Sequence, residues 1–203
     1  FEIINVSRKV SVELQSIINH SDRVKHIDFD FIQITDIYDL SKKISSMSNN
    51  IYGLINNAAI GGDGILATQH LTDISNIINV NQIAPILMSK YIGRLMLKNR
   101  KGHIINVSSV VATTGYSGLS VYASTKAGMV GFTRSLSREY GKYGVCVNAV
   151  LPGFMETDMT NSIGDENLQK IAKRSPTKTL PTTQSVANLV KTILITEDFS
   201  ING

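Results

Sequence analysis

The sequence contains very little cysteine and no cluster of metal-binding residue types. Cys146 is the single cysteine among 203 residues, so no disulfide can form within the chain. It sits in the apolar run from Val145 to Leu151 and is predicted to pack there, in a protein of a reducing compartment. The four histidines lie at ligand spacing neither from the cysteine nor from one another. No metal site is expected.

Long hydrophobic runs and long charged runs are also missing. No apolar stretch approaches the ~20 residues that a bilayer-spanning helix needs, and no segment resembles a signal or transit peptide. The 20 lysines and arginines exceed the 16 acidic residues, but they are scattered along the chain. This distribution argues against nucleic-acid binding. We expect an intracellular soluble protein, of the cytoplasm or the mitochondrial matrix, with neither nucleic acid nor membrane as a partner.

What the sequence does contain is a regular alternation of short apolar runs and longer helical patterns. The predicted strands are Phe1 to Val6, Val24 to Phe29, Ile51 to Asn56, His103 to Val107 and Val145 to Leu151. The predicted helices are Ser11 to Asn19, Ile37 to Met47, Thr72 to Lys98, Tyr122 to Tyr140 and Gln184 to Leu194. Such alternation is typical of βαβ units. It predicts an α/β, Rossmann-like fold in which a doubly wound parallel sheet carries helices on both faces.

The chain shows no internal repeat and no domain linker, so a single domain over residues 1–203 is expected. Its least regular stretch runs from Gly153 to Pro181 and contains Gly164, Pro176 and few strand formers. This composition predicts a mobile insertion or lid over a site.

Tyr122, Lys126 and Ser109 are the residues that indicate a specific chemistry. Positions four apart share a helix face, so the Lys126 ammonium is expected beside the Tyr122 phenol, where it would lower the phenol pKa. Ser109 ends an apolar strand, and ligands in open α/β sheets bind beyond the carboxyl ends of the strands. The pattern predicts a proton donor, with a serine that holds a carbonyl oxygen beside it. The alternative is that Ser109 caps a turn and Tyr122 packs at a helix start.

The same tyrosine–lysine spacing occurs a second time, in Tyr38 and Lys42. No strand that ends in serine precedes this pair, and it lies in the polar segment from Thr35 to Lys43. We interpret it as a solvated helix face. Context, rather than spacing, therefore distinguishes Tyr122.

Several motifs then occur in order along the chain. They are Asn56-Asn57-Ala58-Ala59, Asn81, Ser109, Tyr122-Ala123-Ser124-Thr125-Lys126 and Pro152-Gly153-Phe154-Met155-Glu156-Thr157. In order and spacing they resemble the short-chain dehydrogenase/reductase family over nearly the whole chain. The stretch from Val121 to Thr160 looks most like the β-ketoacyl-acyl-carrier-protein reductases. The resemblance implies reduction of a ketone to a secondary alcohol, with a 3-oxoacyl thioester on acyl carrier protein as the expected substrate, as in fatty acid biosynthesis. Another small carbonyl substrate of the same family is the alternative.

The resemblance also implies catalytic roles. Tyr122 would donate a proton to the carbonyl oxygen while a nicotinamide delivers hydride to the carbon. Lys126 would lower the pKa of Tyr122 and hold the nicotinamide ribose, and Ser109 would hydrogen-bond the substrate oxygen, where charge develops. Asn81 would support a water that leads protons to Lys126. Its alternative role, satisfying backbone groups at a helix bend, is compatible with the first.

A cofactor site follows from the same resemblance. Asn57 and Ala58 are expected along the adenosine side of the cofactor. Pro152, Gly153 and Met155 are expected around the nicotinamide carboxamide, and Thr157 would contact it or the phosphates.

The segment after the first strand predicts which nicotinamide is bound. Ser7 and Arg8 follow the apolar run, where no acid is present to bind ribose hydroxyls and an arginine suits an extra phosphate. NADPH is therefore expected, with Arg8 as the main contact and Ser7 as an assistant; basic residues on a solvated loop are the alternative. Asp30 matches the adenine-contacting position of the family, and Asp28 is the other candidate.

The glycine-rich phosphate loop of this family is missing, because the first glycine of the chain is Gly53. The family's final strand is also missing after Gly203. We expect that the first βα unit and the last strand were trimmed from a longer protein. Two functions are then open: a complete NADPH-dependent ketoreductase seen without its ends, and a noncatalytic scaffold subunit. Retention of Asn81, Ser109, Tyr122 and Lys126 favours the enzyme.

Two further features of the sequence suggest binding partners: a cluster of basic residues and two long helices. A basic cluster before the strand that ends at Ser109 consists of Arg94, Lys98, Arg100 and Lys101. A positive patch beside the active-site mouth would steer an acidic acyl carrier protein; the alternative is that cations simply favour a helix carboxyl end. The helices Thr72 to Lys98 and Tyr122 to Tyr140 resemble those through which family members pair, which implies a homodimer or homotetramer.

Overall fold

The computed structural model describes residues 1–196 and 199–203 as alternating strands and helices. The strands are β1 (Ile3–Ser7), β2 (Val24–Asp28), β3 (Gly53–Asn56), β4 (Gly102–Val107) and β5 (Val145–Val150). The helices are α1 (Val12–His20), α2 (Ile37–Met47), α3 (Leu71–Ile78), α4 (Ala84–Asn99), α5 (Val111–Thr114), α6 (Ser120–Gly141), α7 (Asp165–Arg174) and α8 (Thr183–Ile195). The predicted alternation and the α/β class are confirmed.

The strands pair in two parallel groups. β1 pairs with β2, and β4 lies between β3 and β5. The groups share one hydrophobic core, to which β2 contributes Ile27, β4 contributes Ile104 and β5 contributes Val147. Just before β1 and β3, the rings of Phe1 and Tyr52 stack at 5.6 Å, so the two groups begin side by side. That residues 1–203 form a single domain stays a prediction.

Helices cover both faces of the larger group, as predicted. Successive side chains of a strand point to opposite faces, so Ile104 and Ile105 of β4 pack on different sides. Ile104 belongs to the main core with Leu40 of α2 and Ile92 of α4. Ile105 packs instead with Val190 of α8. Among the described residues, no helix has the length and apolarity needed to cross a bilayer.

The long helix predicted from Thr72 to Lys98 consists of three consecutive segments. α3 ends at Ile78, a π-helical turn covers Asn79–Ile83, and α4 follows. Pro85 lies in the first turn of α4, where a missing N–H costs little. The π turn contains Asn81, which is only 2% exposed. Such bulges are frequent at functional sites.

The stretch from Gly153 to Pro181, the least regular of the chain by composition, contains regular structure that its composition did not predict. A 3₁₀ segment covers Asp158–Ile163, and α7 follows it. Lys173 and Arg174 lie in the last turn of α7, where cations complement the helix dipole. That this stretch acts as a lid stays a prediction.

Candidate active site

Two consecutive serines follow β4 and have different tasks. Ser108 is buried, and its Oγ donates a 2.8 Å hydrogen bond to the main-chain carbonyl of Lys126. Ser109 faces the neighbouring loop: its Oγ accepts from the N–H of Val111 at 3.3 Å and is hydrogen-bonded with the Tyr122 phenol. The carboxyl end of β4 therefore holds a serine hydroxyl beside a phenol, as the sequence predicted.

Helix α6 places Tyr122 and Lys126 one turn apart on the face that packs toward β4. The Lys126 Nζ lies 5.6 Å from the centroid of the Tyr122 ring and donates a 2.9 Å hydrogen bond to the carbonyl of Val107. Lys126 is 3% exposed. The structure thus brings together the three residues Ser109, Tyr122 and Lys126.

Burial sets the ionisation of this pair. Desolvation raises the pKa of Tyr122 above its ordinary value, and the hydrogen bond with Ser109 only partly opposes that change. Desolvation also lowers the pKa of Lys126, to about 8. The pKa of Tyr122 is therefore raised where a lowered value was expected, because burial disfavours both charged forms; that Lys126 lowers this pKa stays a prediction. Near neutral pH, Tyr122 keeps the proton that it would donate, and Lys126 remains mostly cationic.

Asn81 uses its side-chain amide on the backbone. Its Nδ2 donates to the carbonyl of Ile60 at 2.9 Å, and its Oδ1 accepts from the N–H of the same residue at 2.8 Å. The Nδ2 also lies 3.5 Å from the hydroxyl of Thr125, which precedes Lys126. Asn81 thus ties the loop after β3 to the helix that carries Lys126, which fits the alternative of a bend residue. The proton-relay role stays a prediction.

A cleft of about 170 Å³ collects most of the residues predicted for the adenosine side of a cofactor. Ser7 and Arg8 at the end of β1, Asp30 after β2 and Ala58 after β3 all line it. Asp28, the other candidate for the adenine contact, is not among the lining residues. The structure therefore favours Asp30.

The side chains in this cleft differ in how many partners they already have. The Ser7 hydroxyl has two acceptors for its one proton, Asn5 Oδ1 at 3.0 Å and the carbonyl of Lys9 at 2.9 Å. Asp30 Oδ1 accepts from the N–H of Ile32 at 3.0 Å. Arg8 is exposed, and its guanidinium makes no hydrogen bond or ion pair with the residues that the structure describes. Arg8 therefore has donors to offer a phosphate, and Ser7 has less to contribute.

The remaining predicted cofactor residues lie in two loops. They are Asn57, Pro152, Gly153, Met155 and Thr157. Asn57 is exposed and does not line the 170 Å³ cleft. The carbonyl of Pro152 accepts from the N–H of Val110 at 3.0 Å, which joins the loop after β5 to the loop of Ser109. Thr160 donates to the carbonyl of Met155 at 2.6 Å and accepts from the N–H of Thr157 at 3.0 Å. The loop borders the site, and its contacts with a nicotinamide stay a prediction.

Sequence reasoning missed a cleft of about 430 Å³ at the start of α6. Its lining residues are Asp63, Gly64, Tyr116, Ser117, Gly118, Leu119, Phe154, Asn167, Lys170, Ile171 and Arg174. The last four are spaced as on one helix face. That spacing was the signal available in the sequence, but the stretch had been interpreted as irregular.

The basic cluster lies away from the active-site mouth of its own chain, which corrects the predicted position. Lys101 precedes the amino end of β4, whereas Ser109 follows its carboxyl end. The strand between them places the two residues about 20 Å apart at ~3.3 Å per residue. Arg100 lies 5.8 Å from the Tyr143 ring centroid, and Lys101 lies 5.6 Å from that of Tyr52.

A serine at a strand end, with a tyrosine and a lysine one helical turn apart, defines a site of the dehydrogenase and reductase class. Residues 3–168 match the family model described as short chain dehydrogenase. The chain belongs to the short-chain dehydrogenase family, and the resemblance drawn from its motifs is confirmed.

Relatives agree with this membership. The chain is 37% identical over 175 residues to the 3-oxoacyl-acyl-carrier-protein reductase FabG of Escherichia coli strain K12, covering 85% of this chain and 72% of that protein. It is 32% identical over 182 residues to Nodulation protein G of Rhizobium sp. strain N33, covering 90% and 74%. The solved structure of ElxO with NADP bound superposes with a TM-score of 0.84 at 27% identity, covering 98% of this chain and 82% of that one.

Proposed function

We propose that this protein is an NADP-dependent oxidoreductase that reduces a ketone to a secondary alcohol. The observation that carries the proposal is the gathering of Ser109, Tyr122 and Lys126 at the carboxyl end of β4. A scaffold subunit has no physical need for a buried lysine beside a phenol. ElxO, a structural neighbour, was solved with NADP bound. Here Arg8, with unused donors beside Asp30 and Ala58, fits the additional phosphate of that cofactor.

Each residue of the site has one task in this reaction. NADPH, when bound, supplies a hydride to the carbonyl carbon. The Tyr122 hydroxyl donates its proton to the oxygen as charge develops there, and the Ser109 hydroxyl hydrogen-bonds the same oxygen. Lys126 holds a positive charge next to the phenolate that Tyr122 becomes. The hydrogen bond from its Nζ to Val107 fixes the ammonium in that position.

The substrate we propose is a 3-oxoacyl thioester on acyl carrier protein, reduced to the 3-hydroxyacyl thioester. Relatives at 37% and 40% identity, from Escherichia coli and Aquifex aeolicus, are named 3-oxoacyl-acyl-carrier-protein reductases. A small free ketone is the second candidate. The location of Arg100 and Lys101 is consistent with it, because these cations precede the amino end of β4, Ser109 follows the opposite end, and any effect on an acidic carrier would have to be long-range.

A homodimer or homotetramer that pairs through α4 and α6 is also part of the proposal. Gly131 of α6 is exposed, and a Cβ built there would meet no atom within 4 Å. An open helix surface with a small residue allows another backbone to approach closely.

Oxidation of NADPH in the presence of acetoacetyl thioester tests the function. Tyr122→Phe removes the proton donor and is expected to lower kcat by roughly 10²–10⁴-fold. Tyr38→Phe is the matched control, because Lys42 lies 4.2 Å from the ring of Tyr38 in an exposed pair with the same spacing. Its rate should equal that of the wild type, and NADPH should be preferred to NADH. An unchanged rate in Tyr122→Phe would show that Tyr122 is not the acid.

A further inference from the structure

The 430 Å³ cleft at the start of α6 carries two cations that the proposed reaction does not use. Leu119 lines this cleft, and its carbonyl accepts from the N–H of Ala123 at 2.7 Å. That bond connects the wall of the cleft with the first turn of α6, to which Tyr122 belongs. The cleft therefore borders the turn of α6 that carries Tyr122, three residues along the chain from Leu119.

Part of the wall is apolar or main-chain. The rings of Tyr116 and Phe154 pack at 5.0 Å, and Leu119 lies beside them in the lining. Gly64 donates its N–H to the carbonyl of Gly118 at 3.1 Å, and both glycines have positive φ. A Cβ on Gly118 would lie 3.5 Å from the Gly64 nitrogen. The two backbones pass close together, and this part of the wall carries no side chain.

The opposite wall is one face of α7. Asn167, Lys170, Ile171 and Arg174 follow one another at helical spacing and line the cleft. Lys170 and Arg174 stand four residues apart, which separates them by about 6 Å along the helix axis. Both side chains are exposed. The helix thus presents two adjacent cations to the cleft.

These cations outnumber the acids of the cleft. Asp63 is the one carboxylate among the lining residues. Lys170 pairs with Glu166 at 2.7 Å, but an exposed pair of this kind contributes little, so the ammonium can exchange partners. In the part of the chain that the structure describes, no carboxylate lies within salt-bridge distance of Arg174. Arg174 is therefore the cation best placed to take an anion.

We propose that Lys170 and Arg174 bind a phosphate on the substrate, at the end remote from its reacting carbonyl. The inference rests on the proposed ketone reduction and specifies its substrate as a thioester on a phosphopantetheine arm, either free or attached to a carrier. The planar guanidinium matches the geometry of phosphate oxygens and forms charge-assisted hydrogen bonds with them. The uncharged arm would run along Tyr116, Phe154 and the glycine pair.

The test compares two thioesters of the same 3-oxoacyl group, one without and one with a phosphate. Acetoacetyl is presented to the protein as the N-acetylcysteamine thioester, which has no phosphate, and as the 4′-phosphopantetheine thioester. Arg174→Glu should raise KM for the phosphorylated substrate by roughly ten- to a hundredfold, since it replaces a charge-assisted hydrogen bond with repulsion. KM for the neutral thioester and kcat for both should not change.

Lys173→Glu is the matched control. It makes the same charge change on the same helix, but Lys173 does not line the cleft. Both KM values should stay within about twofold of wild type, because exposed charges are strongly screened. If the two variants raised KM equally, the effect would come from the overall charge of α7 and not from Arg174 in the cleft, and the proposal would be wrong. A comparable loss on the neutral thioester would overturn it as well.

Two further measurements separate this proposal from the proposed function. Binding of 4′-phosphopantetheine and of pantetheine, measured by calorimetry, requires no turnover; wild type should prefer the phosphorylated compound, and Arg174→Glu should not. If no thioester is reduced but the preference for the phosphorylated compound holds, the anion site is supported and the ketoreductase proposal is wrong. If the thioesters are reduced but the preference is absent, the ketoreductase proposal is supported and the anion site is wrong. With the acyl group on acyl carrier protein, Arg174→Glu should again raise KM. An increase on the carrier alone would mean that the protein surface, and not the phosphate, is recognised.

Discussion

The buried charge of Lys126 lowers the stability of the folded protein near neutral pH. The residue is almost fully buried, and its ammonium is hydrogen-bonded to a single carbonyl, that of Val107. Burial lowers its pKa to about 8, which means that the folded chain holds this proton less tightly than the unfolded chain does. Between that pH and the ordinary lysine value near ~10.4, the unfolded chain binds more protons, so stability rises with pH across this window.

Replacing the lysine should therefore stabilise the fold while it abolishes activity. Lys126→Met removes a buried charge and loses one hydrogen bond, and we expect a gain of about 1–3 kcal/mol in the free energy of unfolding near pH ~7. The gain should shrink at pH ~9.5, where Lys126 of the wild type is neutral. Urea denaturation at the two pH values measures it. Lys42→Met, at the exposed copy of the motif, should change the free energy by less than about 0.5 kcal/mol.

Helices α4 and α6 are in contact where a glycine of one meets an aromatic ring of the other. A Cβ built on Gly93 of α4 would lie 2.7 Å from Cε2 of Tyr140 and 3.1 Å from its hydroxyl. Gly131 of α6 has no atom within 4 Å of the same ideal position. Two glycines in helix interiors thus have opposite surroundings, although their intrinsic helix propensity is the same.

This contrast gives a paired prediction. Gly93→Ala should destabilise the protein by about 1–3 kcal/mol, because overpacking forces the Tyr140 ring or the helices to shift. In the separate subunit, Gly131→Ala should stabilise the fold by roughly 0.5–1 kcal/mol, because alanine is the better helix former and its Cβ meets no atom of the same chain. Chemical denaturation of both variants measures the difference. Equal effects would mean that the Tyr140 ring moves away at no cost and that the α4–α6 contact is loose.

At the scale of the molecule, the two ends of the sheet differ in chemistry. The carboxyl ends of β1, β3, β4 and β5 lead to the site residues and both clefts, whereas the amino end of β4 carries Arg100 and Lys101. Cations about 20 Å from a reacting group, as the strand rise requires, act on an acidic partner through the field of the whole protein. Such a field changes the association rate and is screened by salt.

Charge reversal at Arg100 and Lys101 tests this long-range role. The double variant should lower kcat/KM for a carrier-bound 3-oxoacyl substrate several-fold at low ionic strength, and the effect should vanish at roughly 0.5 M salt, where the screening length falls to a few ångströms. A free acetoacetyl thioester should be reduced at the wild-type rate. An equal decrease in kcat/KM for the two substrates would exclude steering of the carrier by Arg100 and Lys101. If kcat/KM decreased for neither substrate, the cations of α7 would be the remaining candidates for electrostatic contact with the substrate.

Features encoded within one strand or one helix could be predicted from the order of the amino acids alone. The periods of apolar residues distinguished the strands from the helices of this fold, since the two repeat differently along the chain. Tyr122 and Lys126 share a face because they lie four apart on one helix, and Ser109 ends a strand. Such relations depend only on backbone geometry, which is why these three residues could be proposed as one site without coordinates.

Features that depend on residues distant in the chain came from the packing of the strands and helices in three dimensions. It placed Asp30, and not Asp28, in the lining of a cleft, inserted the π turn around Asn81, and turned one face of α7 toward a second cleft. It also raised the Tyr122 pKa where a lowered value was expected, because desolvation by the surrounding elements outweighs the hydrogen bond with Ser109. Distances, burial and local dielectric arise from packing between elements, and spacing along a chain does not specify them.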